Sequence, residues 1–182
     1  MLKLRKIYFP LSIVIISTFL LIWFVYNGSN DKIQHNSLVK IEPTPFSETI
    51  TVNLYFPNKD NTKMIAEIRG IPLTNKLETS IIKELMAGPK SKGLIPTIPK
   101  EAQLISFEVV EGIAFINFSK EFQTKHPGGS AGELATLASI VYTLTELENI
   151  DKVQILVEGR RLETLAGHIY IMEPLTIKDV KY

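Results

Sequence analysis

The sequence predicts an α+β domain, a two-layer sandwich in which a mixed or antiparallel sheet carries two main helices on one face, set behind an N-terminal transmembrane helix. Three observations predict it. They are an unbroken apolar run from Ile7 to Tyr26, several short segments of period-two alternation, and two stretches whose apolar residues recur at threes and fours.

The apolar run comes first in the chain and carries no charge. At ~1.5 Å rise per residue it covers ~30 Å as a helix, the thickness of a bilayer's hydrocarbon core. Lys3, Arg5 and Lys6 precede it, and Asp31 is the first charge after it. Residues 1–6 are therefore expected on the cytoplasmic side, 7–26 in the membrane, and the rest of the chain outside the cytosol. A cleaved signal peptide is the competing reading, but its apolar region usually spans ~7–15 residues and ends in small residues. Val25-Tyr26-Asn27 offers no such cleavage site, so a retained anchor is expected. Pro10 falls near the helix start, where a missing donor costs little, and Trp23 and Tyr26 suit the outer interface. The chain has no cysteine, which leaves no lipid acceptor and no disulfide framework.

Setting aside the three N-terminal cations leaves 17 basic residues against 19 acidic ones, a charge of about −2 for the exported part. There is no basic stripe, and the few aromatics are not interleaved with arginines, which argues against a nucleic-acid partner. Residues 27–47 are polar, contain Gly28, Pro43 and Pro45, and read as a linker. Residues 48–182 have ordinary globular composition and the length of one domain, without internal repeats.

Within that domain, Ile50, Val52, Leu54 and Phe56 alternate with polar neighbours, which predicts a strand with one buried face. After Pro57–Asn61 a second strand follows, with Met64, Ala66 and Ile68 alternating against Lys63, Ile65, Glu67 and Arg69, and ending near Gly70 and Pro72. Leu77, Ile81, Ile82 and Leu85 make one helical stripe, with Asn75 and Glu78 spaced as a capping pair and Gly88-Pro89 as the stop. Ile105, Phe107 and Val109 then alternate up to Glu111-Gly112, a two-residue turn into Ile113, Phe115 and Asn117. Ser130 and Glu133 match a capping box ahead of Leu134, Leu137, Ala138, Val141, Leu144 and Thr145, predicting a helix to about Leu147. Val153, Ile155 and Val157 mark a further strand ending at Gly159, and Gly167 to Val180 reads as one or two edge strands bent at Pro174.

Chemistry leaves few marks. His35, His126 and His168 do not fall at ligand spacings, so no metal site is predicted. Gly128, Gly129 and Gly132 precede a helix but lack the lysine of a phosphate loop, and serve better as a sharp helix entry. Anion binding at that helix start is a second option, weakened by Glu133 in the first turn. Ser119 has no nucleophile elbow around it and reads as a turn or helix cap. The sequence thus predicts no catalytic, cofactor-binding or metal residue, no cofactor and no enzyme; carboxylates that pair in space are the option left open.

An ordered series of short motifs resembles the GerMN domain of the GerM sporulation and spore-germination proteins. It comprises V-N-L-Y-F-P from Val52, E-L-M-A-G-P from Glu84, Ile98-Pro99, V-E-G-I-A-F-I-N-F-S from Val110, I-V-Y-T-L-T from Ile140, V-Q-I-L-V-E-G from Val153, L-A-G-H from Leu165 and Pro174-Leu175. The resemblance implies an extracytoplasmic module with a fold similar to ring-building motifs of secretion and sporulation channels, and no catalytic residues to carry over. Tandem copies and a lipid-modified cysteine are common in that family, whereas this chain shows one copy and a helix anchor. The expected role is a membrane-anchored interaction module in sporulation or germination, assembling or positioning an envelope complex through edge strands or the apolar loop of Leu94, Ile95 and Ile98. Envelope or sporulation-complex proteins are the expected partners. Peptidoglycan binding around Tyr55, Tyr142 or Tyr170, or an envelope-signalling accessory role, is the alternative, and a wall hydrolase stands third.

Overall fold

The computed structural model describes residues 48–182 and Trp23. The expected cytoplasmic end, transmembrane helix and linker otherwise lie outside the described residues, as does His35. Among the described residues no helix is long and apolar enough to cross a membrane. The elements run in the order β1 (Thr49–Pro57), β2 (Met64–Pro72), α1 (Leu77–Met86), β3 (Leu104–Val110), β4 (Ile113–Phe118), α2 (Glu121–Thr124), α3 (Ser130–Thr145), β5 (Lys152–Val157) and β6 (Arg160–Arg161).

The α+β class holds, but the single expected sheet is two. β1 and β2 form an antiparallel pair, while β3-β4-β5-β6 form a mixed sheet in which β4 and β5 run parallel. The cause lies at the second edge of β1. There α3 takes the place of another strand: Tyr55 N donates to Thr143 Oγ1 at 3.0 Å, and Ser139 Oγ donates to Tyr55 O. At Tyr55 the helix hydroxyls thus take the backbone groups that a neighbouring strand would otherwise pair. Helix α3 contacts β1, β2 and β5, and α1 contacts β1, β2, β3 and α3, so both helices pack against both sheets.

The β3–β4 turn forms as its sequence requires. Glu111 and Gly112 have φ of 49° and 77°, the left-handed pair of a tight hairpin turn. A Cβ at Gly112 would lie 2.7 Å from Asp151 Oδ2, since the turn is tied to the start of β5 through Asp151 N and Gly112 O. The buried faces differ from the stripes that alternation suggested. On β4 the inward residues are Ala114, Ile116 and Phe118, aligned with Val153, Ile155 and Val157 of β5. Phe118 stacks on Phe122 of α2 with centroids 4.2 Å apart. The core continues through Leu54 and Phe56 of β1 and Ile81, Ile82 and Leu85 of α1.

Strand β2 is turned over as well. Glu67, Arg69 and Ile71 point inward, and Ile68 is 72% exposed. An ion pair between Arg69 and Glu67 makes polar burial tolerable there. At the C-terminal end, the expected edge strands reduce to single bridges, Val153↔Leu175 and Thr164↔Tyr170. Pro174 has no N–H for a ladder, and just past it Asp179 captures Thr176 N and Oγ1 in a local turn. The loop of Leu94, Ile95 and Ile98 is not an open apolar surface. Leu94 bridges Asn58, Ile95 N donates to Pro57 O, and Ile98 is in the core.

Candidate functional site

Two buried ionic clusters and a cleft bring ionisable side chains of this domain together. The first cluster sits under β2. Arg69 donates to Glu67, to Glu84 Oε2 at 2.9 Å and to Gly88 O at 3.1 Å, with its guanidinium 6.0 Å from the centre of the Phe56 ring. Glu67 also accepts from Lys90 N at 3.0 Å and Ser91 N at 2.7 Å. Burial pushes the Glu67 carboxyl up, but the Arg69 guanidinium and these N–H groups outweigh it and hold it at about 2. The cluster binds the loop after α1 to the hairpin.

The second cluster replaces the expected capping box. Helix α3 takes Gly129 as its N-cap, without a side-chain cap bond, and Ser130 is its first residue. Glu133 is therefore one position too late to reach back to the cap, and a residue turns ~100° about a helix axis. It points inward and is fully buried. Its oxygens accept from Leu165 N, Ala166 N and His168 N, each at 2.9 Å, and from His168 Nδ1 at 3.0 Å. Burial raises its carboxyl, and these donors reverse the shift, leaving it below its ordinary value. His168 thereby has Nδ1 engaged and remains 45% exposed.

His126 lies beside this cluster. Its Nδ1 accepts from Gly128 N at 3.0 Å, which places the proton on Nε2, donating to Thr136 Oγ1 at 2.9 Å. The Thr136 hydroxyl in turn donates to Thr97 O at 2.9 Å, with Gly132 O also in reach at 3.0 Å. Burial pushes the His126 imidazolium pKa down, against the opposing field of Glu133. Gly128 and Gly129 adopt φ of 80° and 78°, so the glycines make the sharp helix entry their sequence suggests. Ser119 Oγ accepts from Gln103 N at 3.0 Å, tying the end of β4 to the chain entering β3, and its hydroxyl helps hold the Glu121 carboxyl below its ordinary value. Among the described residues no group of three or more His, Asp or Glu is placed to hold a metal ion.

The cleft opens between the first turn of α1 and β3. It holds about 470 Å³ and is lined by Asn75, Lys76, Glu78 and Thr79 on one wall and by Ser106 through Val109 on the other. Asn75 and Glu78 do not cap α1, whose N-cap is Lys76 without a side-chain bond. Glu78 accepts instead from Asn149 Nδ2 at 3.1 Å. Glu78 and Glu108 both line this cleft, an opening large enough for a sugar or peptide unit. Of the aromatics, Tyr55 and Tyr142 are paired edge-to-face at 5.7 Å. Tyr55 donates to Glu146, which with burial lifts its phenol to about 12, and Tyr142 Oη accepts from Tyr182 N. Tyr170 alone of the three is broadly exposed, at 59%. Alternation and spacing carried no signal for the cleft or for the inward ion pair, because both arise where separate elements meet.

Together these residues make a small α+β domain whose buried carboxylates are engaged by its own loops. The chain belongs to the Germane family, described as "Sporulation and spore germination", whose model matches residues 53–163. A candidate lipoprotein of known structure from Clostridium perfringens is 34% identical, with a TM-score of 0.54 over 72% of this chain and 90% of that one. The first GerMN domain of the sporulation protein GerM from Bacillus subtilis shares the fold at 24% identity, with a TM-score of 0.61 over 72% of this chain and all of that domain. The tandem GerMN domains of the same protein match with a TM-score of 0.60, this chain spanning 47% of their length. Among curated proteins none matches.

Proposed function

We propose that this protein is a membrane-anchored interaction module of the cell envelope, acting in sporulation or spore germination by assembling or positioning a protein complex outside the cytoplasmic membrane. The observation that carries this reading is the family match over residues 53–163. The likeness to a candidate lipoprotein supports an envelope setting, and the apolar run Ile7–Tyr26 supports attachment through a helix. Confinement to a surface raises the effective concentration of weak contacts, so modest affinities suffice for assembly. The test is photo-crosslinking from surface positions of the full chain in sporulating cells. Envelope or sporulation proteins should be recovered. Constant expression through growth with no such partner would move the wall-binding or envelope-signalling alternative ahead.

One observation favours a second reading, a wall hydrolase: Glu78 and Glu108 line the same cleft. Release of new reducing or amino ends from purified peptidoglycan by the full chain, lost on Glu108→Gln, would support it; no release removes it. Pelleting with the same peptidoglycan decides the glycan-binding alternative.

A further inference from the structure

Strand β3 is the outer strand of the four-stranded sheet, and its free edge opens onto the cleft beside the first turn of α1. The second edge of β1 lies against α3, whose hydroxyls bond Tyr55 N and O. Beyond the short β6, the outer edge of β5 is closed by Leu175, with Val153 N donating to Leu175 O at 2.9 Å and Leu175 N to Val153 O at 2.8 Å. The outer edge of β2 ends in Pro72, which has no N–H, and faces α1 across a narrower cleft of about 250 Å³. No described residue outside the β3–β4 ladder hydrogen-bonds the backbone of Leu104–Val110, and the same holds for Met64–Pro72 outside the β1–β2 ladder, so what sets β3 apart from β2 is the roomier cleft along it, about 470 Å³ against about 250 Å³.

Four consecutive residues, Ser106 to Val109, line the wide cleft. Neighbours along a strand point to opposite faces, so a run of four can line one opening only if the backbone edge itself is the wall. Phe107 and Val109 pair with Ile116 and Ala114 and lie on the helix-covered face, half-buried where the sheet ends. Glu108 lies on the other face, exposed, with no hydrogen-bond or ion-pair partner among the described residues.

We infer that this edge is a strand-addition site: an extended segment of a partner protein lies along β3 beside the first turn of α1, hydrogen-bonded to its backbone. The chemistry of the walls selects the segment. A side chain directed to the helix side meets Phe107 and Val109 and is apolar; the next, directed to the opposite face, meets the carboxylate of Glu108 and is basic. The partner segment therefore alternates apolar and basic residues over four or more positions. This inference rests on the interaction reading above and names its contact.

The probe is the blocked hexapeptide acetyl-Val-Lys-Val-Lys-Val-Lys-amide added to the full chain in detergent, read by backbone amide shifts and hydrogen exchange. Slowed exchange is expected within β3 and none within β2. Full N-methylation of the peptide, or exchange of its lysines for glutamates, should weaken binding at least about ten-fold, and Glu108→Lys should reverse the preference between the lysine and glutamate peptides. Glu108 is exposed, so that variant folds, and unchanged dispersion of the core methyl signals verifies it. Equal binding of the N-methylated peptide, or saturation without protection in β3, overturns the inference. Protection of β3 by a concentration-dependent dimer also overturns it, in favour of a second copy as occupant. If crosslinkers at Ile68 or Arg160 recover envelope partners while one at Thr79 does not, the site falls and the interaction reading stands; if none recovers a partner, both fall.

Discussion

Glu67 and Glu133 are both inward-facing carboxylates, yet one leans on a permanent cation and the other does not. Each clamps a loop by accepting its backbone N–H groups: Lys90 and Ser91 for Glu67, Leu165, Ala166 and His168 for Glu133. Glu67 shares its charge with Arg69, itself held by Glu84 and Gly88 O. Glu133 meets only a half-exposed histidine and otherwise relies on peptide dipoles. A carboxylate sunk in a family member invites a catalytic reading, but in both cases the oxygens are saturated by the protein's own donors. What separates the two is how much each structure loses when its carboxylate is removed.

The widest gap is expected from deletion. Glu133→Ala leaves three N–H groups around a buried position without their acceptor and takes the partner from a half-exposed imidazole, and should cost about 3–5 kcal/mol by urea unfolding. Glu67→Gln should cost less, about 2–3 kcal/mol, because Arg69 keeps Glu84 and the amide oxygen still accepts from the loop. An equal loss from the two would break the distinction drawn between them.

Acid sharpens it. Glu67 is held at about 2, and Glu133 below its ordinary value, so both carboxyls bind protons less readily folded than unfolded. Their contribution is complete above pH ~4.5 and is lost as pH falls through the folded values. Midpoints of unfolding should therefore be level in this respect near neutrality and fall in acid, with a shallower fall in Glu67→Gln. His126 acts in the same direction at higher pH. Its depressed folded pKa means that stability declines as pH drops below ~6.5, and His126→Gln should flatten that decline. The smallest effect is His168→Ala, about 1 kcal/mol or less, since the ring is half-exposed and Glu133 retains its three N–H donors.

Elements whose hydrogen bonds and burial are local were legible in the chain. The Glu111-Gly112 turn, the Gly88 helix stop and the period of each strand follow from residue types at fixed offsets. Faces were harder to read. On β2 the apolar Ile68 looks inward by type but points out, because Glu67 and Arg69 find partners in α1 and the loop behind it. The Ser130/Glu133 spacing fits a capping box, but Gly129 supplies the cap and the shift by one residue turns the glutamate into the core. No local pattern could announce a glutamate whose partners lie more than thirty positions away. The cleft is similarly silent, its walls being α1 and β3. Family resemblance, carried by the ordered series of motifs, was legible where individual site residues were not.

A role in sporulation or germination is tested by deleting the coding sequence in the organism that encodes it and counting heat-resistant spores and their germination. A loss of spore yield or a germination defect, restored by the full chain, is the predicted result. Spore yield and germination indistinguishable from the parent strain would contradict it.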